Sequence, residues 1–249
     1  RSSGDEPAID TGVAAAIASE PLMSFTAHDG IHHTVWCIAA PESLVAAFKQ
    51  YPCAYIADGH HRAASAARVA RERRAANPAH TGDEDYNWFL TVLFPAKQLR
   101  ILPYTRPVGD LHGSPPRQSL GELARAGPAT TATSPAPAAP GSVHFFLEGQ
   151  WYALALNPLA GADPVSRLDV SLLQDKVLAP MLNIDDPRTS KRIDFVGGIR
   201  GTKYLEDAVN SRRAAIAFSM HAVTIDQLMA ISDAGQIMPP KSTWFEPKL

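Results

Sequence analysis

The chain has 249 residues, 45% of them hydrophobic and 19% charged, a balance that suits one large domain or two smaller ones around a sizeable core. A formal net charge of −2 gives no overall attraction for nucleic acid or an anionic membrane, so any phosphate recognition has to be local. No apolar run approaches the roughly 18–20 residues of a membrane span, and no signal peptide is recognisable.

The opening Arg1-Ser2-Ser3-Gly4 has no Met and reads as the start of a fragment. Pro21–Ala27 and Ile31–Ala39 are expected as two strands joined at His28-Asp29-Gly30, because Asp-Gly between β-prone runs marks a hairpin. Pro41–Tyr51 reads as a short helix with Leu44, Val45 and Phe48 on one face. Cys53–Ala57 is expected as a brief apolar strand, His61–Ala76 as an Ala/Arg-rich helix, and Asn77–Asp85 as a polar loop. Tyr86–Phe94 is the most strand-like segment of the chain, rich in aromatic and branched residues. The cysteines, Cys37 and Cys53, sit beside apolar residues and in no metal-ligand spacing. They are expected as buried free thiols in a reducing, cytoplasmic compartment.

Residues 126–142 carry four prolines and little to bury, which predicts a solvent-exposed insertion without regular structure. Past it, Val143–Glu148 and Trp151–Leu156 predict a second hairpin. Leu168–Leu182 predicts an amphipathic helix, Ile193–Val196 a short strand, Lys203–Val209 a helix and Ala214–Met220 a strand. Thr224–Ile231 predicts a helix opened by a Thr224…Gln227 capping box. Hairpins mixed with strand–helix alternation indicate an α/β (α+β) fold, with a mixed sheet and flanking helices. The expected organisation is an N-terminal core over 1–125, the insertion over 126–142 and a C-terminal α/β portion over 143–249.

The segment Tyr55-Ile56-Ala57-Asp58-Gly59-His60-His61-Arg62-Ala63-Ala64 carries the chemistry. A tight turn at Asp58-Gly59 leads straight into a helix, whose first turn presents unpaired N–H groups and a partial positive charge to an anion. Gly59 lets a ligand approach the backbone, Arg62 can grip phosphate oxygens with two bonds, and His60 and His61 add donors. Asp58 would repel a phosphate directly. It makes sense as a Mg²⁺ ligand or as the acceptor of a substrate hydroxyl proton. The same string also fits a plain capped helix start with surface histidines. Arg62, Arg68, Arg71, Arg73 and Arg74 make the helix basic, which fits a solvated face better than a nucleic-acid contact, since no helix-turn-helix module follows. Phe195-Val196-Gly197-Gly198-Ile199-Arg200-Gly201-Thr202 lacks the phosphate-loop pattern and reads as a structural turn.

YIADGHHRAASAA resembles the ParB/sulfiredoxin-like superfamily, and its ADGHHR form is similar to the free serine kinase group, long catalogued as a domain of unknown function. The closing run from Met238 through Lys241-Ser242-Thr243-Trp244-Phe245 to Lys248 is similar to that group's C-terminal signature. The resemblance spans most of residues 20–249. It implies a kinase moving a phosphoryl group from ATP or ADP, with Mg²⁺, to the hydroxyl of free serine or a similar small molecule. Gly59, His60, His61 and Arg62 match the phosphate-binding turn, with Lys241, Ser242 and Thr243 as further ligand-binding candidates. Asp58 and His60 are the catalytic candidates, and Asp58 is the one that would hold Mg²⁺ through the nucleotide. Sulfiredoxins carry a catalytic Cys at the position of His60, so sulfinic-acid reduction is not expected. The resemblance also implies that the family's N-terminal portion, with an acidic residue proposed as catalytic base, lies upstream of Arg1. A nucleotide-binding regulator without catalysis and a ParB-related DNA-associated protein are the alternatives. Oligomeric state stays open, a homodimer included.

Overall fold

The computed structural model describes residues 7–246, and the chain falls into two compact units, 1–80 and 81–249. In the first, α1 (Pro7–Ile17) precedes a hairpin of β1 (Met23–Thr26) and β2 (His32–Val35), followed by α2 (Glu42–Phe48) and α3 (His60–Ala76). The hairpin forms where Asp-Gly predicts it: Gly30 takes φ +83°, and Asp29 Oδ1 accepts the Ile31 N–H at 3.0 Å. Helices α1 and α2 meet at Gly12, where a Cβ would stand 2.7 Å from Leu44 Cδ2.

Two expectations for this unit need correction. Cys37 and Cys53 are exposed, not buried, because no residue of 7–80 is fully buried and the unit offers them no apolar interior. Cys53–Ala57 carries no strand; a short apolar run becomes one only where a neighbour supplies a ladder.

The second unit contains β3 (Arg100–Leu102), β4 (Tyr104–Val108), α4 (Pro116–Ala126), β5 (Ala129–Thr131), β6 (Ser142–Leu147) and β7 (Gln150–Ala155). There follow α5 (Asp169–Leu173), α6 (Ala179–Leu182), β8 (Val196–Gly197), α7 (Lys203–Asn210), β9 (Ile216–Met220), α8 (Ile225–Asp233) and β10 (Trp244–Glu246). Six strands form one sheet in the order β5-β7-β6-β9-β4-β8, and β10 pairs with β3 separately. The α+β architecture matches expectation, but the sheet is antiparallel throughout rather than mixed, since among the described residues no helical crossover joins two paired strands in parallel.

The two-residue side-chain period of strands divides the core. Val108, Val143, Phe145, Leu154, Ile216 and Phe218 join Leu123, Leu172, Leu173 and Ile231 from the helices in the main cluster. Phe146, Trp151 and Ala217 form a smaller one with Leu205 of α7. Between α5 and α6, Gln174–Leu178 widens into a π-turn. Pro180 has no N–H to give, and its ring crowds the carbonyl four residues back, which the wider turn relieves. Thr224 and Gln227 exchange both bonds of the expected capping box.

Tyr86–Phe94 is not a strand. A short turn occupies Asp85–Asn87, and the residues after it are extended but exposed, Trp88 at 72% and Leu90 at 94%. Intrinsic β preference needs a partner surface to be realised. Residues 126–142 differ in the opposite sense. Ala129–Thr131 adds an edge strand to β7, His144 Nδ1 lies 2.9 Å from the Ser134 carbonyl oxygen, and Pro137 is buried. The stretch lies within the second unit. Prolines fit here because an edge strand and a loop leave backbone groups without ladder duty.

Candidate functional site

Gly59 sets the geometry at the start of α3. Its φ of +84° is left-handed, open to glycine at no steric cost. The Arg62 side chain folds back over it, so that a Cβ on residue 59 would stand 3.1 Å from Arg62 Nη2. The first helical bond runs from the Ala63 N–H to the Gly59 carbonyl at 2.9 Å, and no side chain caps the helix start. The N–H groups of His60, His61 and Arg62 therefore open the helix, with the exposed guanidinium of Arg62 beside them. Asp58 Oδ1 accepts the Gly59 N–H at 2.8 Å. Its carboxylate thus braces the turn on which it sits. Asp58, His60, His61 and Arg62 are all exposed, and the structure brings Asp58, Gly59 and Arg62 into one small constellation.

The other candidates, Lys241, Ser242 and Thr243, lie in the second unit on the turn that leads into β10. Lys241 is exposed with φ +53°, and its Nζ stands 5.6 Å from the centre of the Tyr104 ring. Ser242 is buried and donates its hydroxyl to the Pro239 carbonyl at 2.7 Å, so its proton is committed to holding the turn. Thr243 is half-buried. Trp244 meets Tyr104 edge-on at 5.6 Å. Beneath it the Gly-rich run is a structural turn, as its sequence indicates: Tyr104 pairs with Gly197 and Thr105 with Val196, and a Cβ on Gly198 would stand 2.8 Å from the Pro103 carbonyl oxygen.

The sequence reading passed over Arg106. On β4 it lies two residues from Val108 and shares that residue's face of a strand buried on both sides, paired in register with Phe218. The residue is 2% exposed. It donates to the carbonyls of Tyr104 and Lys241, each at 3.2 Å, and lies 5.2 Å from the Phe195 ring centre. A charged residue in phase with Val108 in a strand-like run was the available signal.

The family model that matches residues 3–171 describes a protein of unknown function, DUF1015. The chain belongs to this family. Curated proteins give no match. Among solved structures, it is similar to a free serine kinase variant in complex with AMP, at 16% identity and TM-score 0.39. A variant of that kinase in complex with ADP is similar at 17% identity and TM-score 0.37. In both cases the match covers 76% of this chain and 66% of the other, so the chain spans just under two thirds of the kinases' length. Among the described residues, no helix is long and apolar enough to cross a membrane.

Proposed function

We propose that this DUF1015 member is a cytoplasmic nucleotide-dependent kinase of the ParB/sulfiredoxin-like superfamily. It would transfer a phosphoryl group from ATP or ADP to the hydroxyl of free serine or a similar small molecule. The observation that carries the reading is the left-handed Gly59 turn opening α3 with Arg62 folded over it. Three leading N–H groups, the helix dipole and a bidentate cation meet there, which is what a phosphate chain requires. Residues 1–125 would form the nucleotide-binding core and 143–249 the C-terminal portion.

In the reaction, the acceptor hydroxyl oxygen attacks the terminal phosphorus. A new P–O bond forms, the bond to the bridging oxygen breaks, and ADP or AMP leaves. Phosphoryl transfer rests mostly on positioning and charge neutralisation. Gly59, His60, His61 and Arg62 would hold the phosphates. Asp58 would take the hydroxyl proton, with His60 as the neighbouring acid–base group. Mg²⁺, if bound, would share Asp58 with the phosphates, one carboxylate being a common protein contribution to such sites. On the second unit by itself, Lys241 and Thr243 would hold ligand oxygens on their own loop, whose turn Ser242 would fix.

A second reading, nucleotide binding without turnover, draws on the bond from Gly59 to Asp58 Oδ1, which suits a carboxylate whose work is to brace the turn. Calorimetric titration with ATP, ADP and CTP, with and without Mg²⁺, followed by a serine-dependent turnover assay, separates the two. Binding with turnover is the expected result. Binding alone would install the regulator, and no nucleotide binding would remove both.

A further inference from the structure

Arg106 is a buried cation with no carboxylate partner among the described residues. Its contacts are two backbone carbonyls, the Met220 sulfur at 3.6 Å and the Phe195 ring face. Burial pulls its pKa down to about 10, which still leaves it charged at neutral pH. Isolated buried charges are costly, and apolar residues of similar volume often serve stability as well or better. A strand position otherwise suited to an apolar side chain therefore carries an electrostatic cost that no carboxylate among the described residues offsets.

The surroundings indicate where the offset lies. The carbonyl that Arg106 Nη2 binds belongs to Lys241, a second cation held at φ +53°. The carbonyl that Nη1 binds belongs to Tyr104, whose ring lies beneath the Lys241 ammonium. Two positive charges thus meet at one loop, Lys241 on it and Arg106 bonded to its backbone. The carboxyl in the lining of this region, Asp169, is engaged by the Gly141 N–H at 2.9 Å. Tyr104, Arg106, Asp169, His221 and Ser242 border a cavity of about 10 Å³, room for about one water. A larger ion has to sit at its mouth, on the loop, rather than within.

We propose that the Lys241–Thr243 loop binds a small oxyanion, a phosphoryl or carboxylate group, with Arg106 as the positioning residue beneath it. Lys241 and the Thr243 hydroxyl meet the ion. Arg106 fixes the Lys241 backbone and supplies a buried positive charge that the bound ion offsets. The assignment rests on the reading of this loop as ligand-binding.

The test is thermal melting and affinity for inorganic phosphate, L-serine and O-phospho-L-serine, at ionic strength matched with chloride. The full chain is compared with Arg106→Met and Arg106→Lys. Without anion, Arg106→Met should melt at or above the parent, because it removes a buried charge at similar volume. Its affinity for the anion should fall by about 10-fold or more, while Arg106→Lys keeps part of it. A phosphate response points to a phosphoryl ligand and a serine response to a carboxylate. If Arg106→Met retains the parent's anion response, or the parent responds no more than to chloride, the proposal is overturned. Should Arg106→Met fail to fold, exposed Lys241→Met decides: lost anion response supports the site, and an unchanged response overturns it. An ADP titration on the same samples keeps the readings apart. Nucleotide binding without an anion response removes this inference alone, and the converse removes the nucleotide reading alone.

Discussion

The indole of Trp244 occupies the space that a side chain on Gly197 would need, with Cε3 only 2.6 Å from the position of a Cβ there. Real Cβ contacts do not come this close, so either the ring or β8 must move when a methyl is added. Gly197→Ala is expected to cost about 1–3 kcal/mol as an overpacking change, seen as a lower urea midpoint at unchanged slope. A midpoint equal to the parent's would show that Trp244 is free to shift.

Arg62→Ala removes a guanidinium from an exposed turn in a unit with no fully buried residue among those described, so the fold should not depend on it. Nucleotide affinity is expected to fall roughly 10–150-fold, the range for a charge-assisted contact, with the melting temperature unchanged. A variant that binds normally but melts early would make Arg62 a structural residue.

Asp58→Asn keeps the acceptor that braces Gly59 and removes the negative charge. Asn suits the same turn, so melting and most nucleotide affinity should persist. Serine-dependent turnover should drop at least about 100-fold, the lower range for a positioned acid–base group. Parent-like turnover would return Asp58 to turn bracing alone.

Burial raises the pKa of Asp169, which is 8% exposed. The folded state therefore holds this proton more tightly than the unfolded one, and stability falls as pH rises from the unfolded value through the folded value. Asp169→Asn retains an oxygen for the Gly141 N–H and carries no charge. It should melt above the parent at pH 7, with the gap closing below about pH 4. A variant less stable at pH 7 would mean that the ionised form is worth more in place than its burial costs.

The Asp110–Arg192 pair has the opposite sign. Two Arg192 nitrogens reach both Asp110 oxygens, and this holds the Asp110 carboxyl down at about 2. Its contribution is full above the unfolded pKa near 3.9 and is lost as pH falls through about 2. The side chains are 52% and 29% exposed, so solvent screening limits the effect to about 1 kcal/mol. Asp110→Asn should lower stability by that amount at pH 6 and not at pH 2. Equal losses at both values would point to shape rather than charge.

The hairpins and helices were legible because their signals are local. Asp29-Gly30 sets one turn, Thr224 and Gln227 close a capping box, and the alternation of Val143, Phe145 and Leu147 fixes one face of β6. Tyr86–Phe94 and Cys53–Ala57 misled because strand character depends on a neighbour that periodicity does not name. The edge strand Ala129–Thr131 was hidden by the prolines that flank it, Pro128 before it and Pro135 after it. At the candidate site, the Gly59 turn could be read from its spacing. Arg106 could not be tied to Lys241, since β10 brings together residues that are remote in sequence.

The only two thiols of the chain, Cys37 and Cys53, are exposed on the first unit. A maleimide dye therefore labels that unit and leaves the six-stranded sheet untouched. With Cys37→Ser, the fluorophore stands on Cys53 alone, a few residues ahead of Asp58. Changes in its emission on adding nucleotide would then report occupancy of the Gly59 turn directly, in an assay that needs neither turnover nor a known phosphoryl acceptor.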